Sequence, residues 1–70
     1  LNTALAMADE LAAQVMRAWT LAALAEVDLR AGAADRAARL TDNARAIFEQ
    51  SGDPWGIERC DGLARALAER

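Results

Sequence analysis

Four consecutive residues, Ser51-Gly52-Asp53-Pro54, constrain this chain more than any others. Glycine suits the left-handed conformation that closes a helix, aspartate offers a side-chain acceptor for the first free amides of the next, and proline fits the first helical position, where no amide is needed. One helix therefore stops and another starts within four residues. A second stop stands at Ala31-Gly32-Ala33, just after Arg30, whose charge favours the negative end of a helix dipole, and Asp35 falls in the first turn beyond it.

Between these stops Ala37, Leu40, Thr41, Ala44, Ile47 and Phe48 recur at steps of three and four, with Asp35, Arg36, Arg39, Asp42, Asn43, Arg45, Glu49 and Gln50 on the other side. This predicts an amphipathic helix over about 34–51. After Pro54, the stripe Ile57, Cys60, Leu63, Ala64 and Leu67 predicts another over about 54–69. The segment from Met16 to Leu29 is apolar around much of its circumference, as expected of an inner helix with neighbours on more than one side. Charge pairs Glu26/Arg30, Asp35/Arg39 and Asp61/Arg65 have the i, i+4 spacing that supports exposed helices. No Gly or Pro interrupts residues 1–30, and punctuation alone would make them one helix about 45 Å long at ~1.5 Å per residue.

Internal repetition argues otherwise. Leu24-Ala25 recurs 39 residues on as Leu63-Ala64, and the same shift carries Leu1 onto Leu40, Leu5 onto Ala44, Ala8 onto Ile47 and Met16 onto Trp55. It also carries Ala13-Gln14-Val15 onto Gly52-Asp53-Pro54, which predicts a turn near Ala12–Val15 and four helices, about 1–12, 15–30, 34–51 and 54–69.

Composition agrees with an all-α chain. Hydrophobic residues make up 54% of the sequence, but they include only one Phe, two Trp and no Tyr. The excess is largely alanine, the strongest helix former and a poor supplier of buried area. A lone domain of 70 residues hides only about 60% of the surface of its unfolded chain, so the core is thin. Net charge is −3, with all basic residues Arg, so there is no basic stripe for phosphates and direct nucleic-acid binding is not expected. No apolar run reaches the length of a membrane span, and the single cysteine, Cys60, excludes an internal disulfide and suits a reducing, cytoplasmic compartment. The first residue is Leu, which suggests one helical segment, residues 1–70, from a longer chain.

The unit Leu24-Ala25, Gly32, Ala37, Ala44 resembles the tetratricopeptide (TPR) pattern of a large then a small residue on one helix, a glycine turn, and two small residues on the next. The stretch Trp19 to Leu67, with Gly52-Asp53-Pro54-Trp55-Gly56-Ile57 at its middle, is similar to the roughly forty-residue TPR variety of large bacterial signalling and transcriptional regulators. The alanine- and arginine-rich, lysine-free composition would suit a high-GC bacterium. Two positions depart from the pattern: Asp28 and Thr41 stand where the family usually has aromatics, which implies looser or wider packing there. The resemblance implies antiparallel hairpins stacked as a TPR-like superhelix, acting as a non-catalytic scaffold for a protein, a peptide or other domains of the parent chain. An array this short is also expected either to self-associate through its exposed terminal helices or to be marginally stable, since stacked repeats bury their faces on neighbours.

The groove positions implied by the resemblance are Trp19, Ala23, Glu26 and Arg30 on one helix and Glu58, Asp61, Arg65 and Glu69 on another. Ala22, Ala23, Glu26 and Asp61 occupy the places where chaperone-binding members carry a carboxylate clamp, so that ligand class is not implied. The same charged residues also read as an ordinary solvated face. Trp19 reads equally as core or contact, and Trp55 as a staple over Phe48 or Ile47 at a helix junction. Catalysis has little to use: His, Lys and Tyr are absent, Ser51 is a turn residue, and Cys60 lies on an apolar stripe without a base. The carboxylates are not gathered by any loop, so neither a metal nor a cofactor is expected. A small antiparallel bundle or helical dimer serving oligomerisation or docking is the alternative, and an unbroken 1–30 helix would favour it.

Overall fold

In a computed structural model, which describes residues 2–69 and side chains from Met7 onward, the chain forms three helices and, among the described residues, no strand. They are α1 (Asn2–Arg30), α2 (Ala34–Ser51) and α3 (Pro54–Ala68). The predicted all-α class and the bounds of the last two helices agree with the structure. The predicted turn at Ala12–Val15 does not: α1 runs through it, and helices 1–12 and 15–30 are one. Ala13-Gln14-Val15 aligns with Gly52-Asp53-Pro54 in the repeat but has none of its chemistry, and alanine and glutamine favour continuation. The predicted start at Leu1 and the side chains of Leu1 and Leu5 lie outside what is described.

Both turns are built alike. Gly32 and Gly52 are left-handed, with φ of +85° and +70°. Around Gly32, the amide of Ala33 donates to the carbonyl of Asp28 at 2.8 Å and that of Gly32 to Leu29 at 3.2 Å; around Gly52, Asp53 donates to Phe48 at 2.9 Å and Gly52 to Glu49 at 3.4 Å. These paired bonds satisfy carbonyls that a helix end leaves free, in the Schellman arrangement. The Asp53 carboxylate then accepts from the amides of Trp55 at 3.1 Å and Gly56 at 3.2 Å, capping α3 behind Pro54.

The three helices run up, down and up, so α3 is parallel to α1. Each supplies a seam at i, i+4, i+7: Ala18, Ala22 and Ala25 from α1; Ala37, Thr41, Ala44 and then Phe48 from α2; Gly56, Cys60 and Leu63 from α3. Nearly all are small, which lets the axes approach closely. Phe48 and Cys60 are the largest fully buried side chains. α2 reaches the level of Met7, Leu11 and Gln14 with Gln50, so the first turns of α1 project past the hairpin and the molecule measures 49 × 18 × 13 Å.

The two departures from the TPR pattern each have a local partner. Asp28, 6% exposed, receives a bidentate pair of bonds from Arg36: Nε to Oδ2 at 2.9 Å and Nη2 to Oδ1 at 3.0 Å. With its backbone carbonyl already bound by Ala33, Asp28 fastens the α1–α2 turn from both ends. Buried Thr41 donates its hydroxyl to the Ala37 carbonyl at 2.8 Å. The hydrogen bond from Arg36 holds the Asp28 carboxyl below its ordinary value of 3.8, against the opposing effect of burial. A depressed carboxyl contributes stability that is fully present above its unfolded value and is lost as pH falls through its folded one. Asp28→Asn is therefore expected to melt below the wild type at neutral pH, with the gap closing as pH falls below the ordinary value of 3.8 and through the lowered one of the folded chain. Circular-dichroism melts from neutral pH to about pH 2 test this; a gap constant across the range would assign the loss to packing rather than charge.

Candidate functional site: the groove between the first and third helices

Where α3 runs alongside α1, Trp19, Trp55, Glu58, Arg59 and Gly62 line an open groove of about 390 Å³. Its base is set by the core. Trp19 lays its ring edge-on to Phe48, with centroids 5.0 Å apart and planes at 64°, and leaves its other side open. Trp55 is 74% exposed. The expectation that it staples over Phe48 or Ile47 is corrected: the Asp53 cap and Pro54 set the first turn of α3 so that Gly56, one residue and about 100° further on, meets Phe48 instead. Gly62 has open space where a side chain would stand, so the groove floor stays clear.

The predicted contact residues divide. Trp19 and Glu58 line the groove, and Glu26, half-buried, borders it through ion pairs to Arg59 of α3 and to Arg30 at 3.2 Å. These arginines, Arg59 first through its hydrogen bond, hold the Glu26 carboxyl below its ordinary range, so it stays charged. Ala23 and Arg30 are exposed further along α1, Arg65 is exposed on α3, and Glu69 is exposed at its C-cap. Asp61 is drawn the other way, to Arg45 of α2 at 2.5 Å. Of the expected pairs along a helix, Glu26/Arg30 is present, whereas among the described residues Asp35/Arg39 and Asp61/Arg65 are not within ion-pair distance, Asp61 having taken its partner from α2.

Sequence reasoning missed Arg59 and Gly62. The signal for Arg59 was its position four residues after Trp55 on the edge of α3 nearest α1; Gly62, a helix-interior glycine with no turn to explain it, marked an open surface. Chemically, the groove offers two indole faces, one unpaired carboxylate at its rim in Glu58, and a neutralised Glu26–Arg59 bridge at its side. Such a surface suits an apolar side chain carried on a polypeptide and provides no nucleophile or base pair. Cys60 is fully buried in the core, and burial pushes its thiol up, which keeps it protonated. Among the described residues no His, Cys, Asp or Glu group is placed to hold a metal ion, and no helix is long and apolar enough to cross a membrane. Comparison with protein-family models, with curated proteins and with solved structures finds no match to this chain.

Proposed function

We propose that the chain is a non-catalytic protein–protein interaction module that receives an apolar side chain of a protein or peptide between Trp19 and Trp55. The exposure of Trp55 carries this reading: a large indole left in solvent beside a second indole is characteristic of binding hot spots and contributes little to this fold. Its finer form is a TPR-like segment of a cytoplasmic bacterial regulatory or signalling protein. The up-down-up order, the glycine turn after α1 and the small-residue seams support that form, as does the sequence unit from Leu24 to Ala44. The unbroken α1 favours a second reading, a small helical oligomerisation or docking unit in which α1 is the exposed arm.

A selection of peptides binding the chain, followed by NMR of the two indole N–H signals, tests the groove. Bound peptides are expected to move both signals, and Trp55→Ala to weaken binding at least about tenfold while shifting stability by no more than ~0.5 kcal/mol. Binders that ignore Trp55 and leave both indoles unmoved would refute the assignment.

A further inference from the structure

On α3 the residues that line the groove, Trp55, Glu58, Arg59 and Gly62, fall at i, i+3, i+4 and i+7, which is one face of the helix, and α1 adds Trp19. The two charges on this face differ in state. Arg59 is held by Glu26 of α1, which also holds Arg30 at 3.2 Å, whereas Glu58 is exposed and has no ion pair among the described residues. An occupant of the groove therefore meets two unlike demands. The indoles, Trp55 at 74% exposure and Trp19 at 39%, offer apolar area, and an indole attracts a cation over its ring more strongly than any other aromatic side chain. Whatever covers them also displaces water around Glu58, and a carboxylate that loses water without gaining a partner is destabilised. A purely apolar side chain meets the first demand and not the second. An acidic one adds a further negative charge to a chain of net charge −3.

We infer that the occupant is a lysine or arginine side chain of a partner polypeptide, its aliphatic stem between Trp19 and Trp55 and its cationic head on the Glu58 carboxylate. Such a side chain carries both chemistries, since its stem packs on apolar surface while its charged end keeps a polar partner. Arg59 does not fill that place from within, because its guanidinium is engaged by Glu26, whose carboxylate offsets its charge. Gly62, one turn beyond Glu58, adds no side chain, and the space it leaves open gives a long stem room to lie along α3. This rests on the reading of the groove as a docking site and narrows its occupant: the apolar part received is the stem of a basic side chain.

The test follows the indole N–H signals of the whole chain by NMR, at fixed ionic strength, as capped glycine pentapeptides with a central lysine, ε-acetyllysine or norleucine are added. All three carry a similar stem, and only lysine carries the charge. The lysine peptide is expected to move both signals and to bind at least about threefold more tightly than either neutral one. Glu58→Gln is expected to remove most of that preference, whereas Glu49→Gln, which takes the same charge from the outer face of α2, should leave it. A norleucine peptide that binds as tightly as lysine overturns the proposal and leaves the groove to a plain apolar side chain. So does a lysine preference that survives Glu58→Gln or is lost equally in Glu49→Gln. A series that moves neither indole overturns it too, and whether the groove docks any partner is then read separately, from the selected peptides and Trp55→Ala.

Discussion

Phe48→Ala is expected to abolish cooperative unfolding of the isolated chain near room temperature. Phe48 is fully buried and lies where all three helices meet: it takes the edge of Trp19 from α1, sits under Gly56 of α3, and its carbonyl accepts the Asp53 amide in the turn between. Around it the core is mostly alanine, which cannot reach into the space left by a lost ring. Truncating a buried Phe to Ala typically costs about 3–5 kcal/mol, and domains commonly have ~0.05–0.15 kcal/mol of stability per residue. For 70 residues that cost is comparable with the whole. Near-ultraviolet circular dichroism should lose the fixed Trp19 signal, and urea titration should show a broad, early transition. Phe48→Leu should retain a single transition at a lower midpoint. A Phe48→Ala chain with a sharp transition within ~1 kcal/mol of wild type would show that the core lies elsewhere.

What could be read from sequence was what short-range chemistry specifies. Gly32, and Gly52-Asp53-Pro54, act on their own neighbours, so both turns and the bounds of α2 were legible. The turn at Ala12–Val15 was inferred from a 39-residue self-match whose counterpart contains a glycine, a cap and a proline; apolar alternation repeats without the residues that stop a helix. Contacts across helices were harder. Asp28 read as a departure from a pattern because its partner, Arg36, lies beyond the turn, and Asp61 read as pairing along α3 when α2 offers Arg45. Trp55 was placed in the core by its position at a junction, although the α3 cap fixes the angle at which each first-turn residue leaves the helix. Trp19, Glu26 and Glu58 were named through the resemblance, and they lie near one another because α1 and α3 are neighbours. The apolar circumference of α1 was visible too, but its outer side has no cover among the described residues, which the inner-helix expectation did not foresee.

The same angle makes Gly56 the position most sensitive to a single added carbon. A Cβ there would overlap Cδ1, Cγ and Cε1 of the Phe48 ring. That ring is fully buried and braced by Trp19, so α3 has to move away from α2. Overpacking of this kind usually costs about 1–3 kcal/mol, and the better helix propensity of alanine, up to ~1 kcal/mol, offsets only part of it. Gly56→Ala is therefore expected to lower stability in urea titration by about 1–2 kcal/mol, whereas Gly62→Ala, six residues on and facing open space, should raise it by about 0.5–1 kcal/mol. The pair separates steric clash from propensity, since both substitutions add one methyl to the same helix. Placing Gly56→Ala in a Phe48→Leu background sharpens the attribution. If the clash is with the ring, removing the ring should reduce the penalty, leaving a coupling of at least ~0.5 kcal/mol between sites. Strict additivity would mean that α3 approaches α2 through some other contact, and the placement of Trp55 in solvent beside Trp19 would lose its explanation.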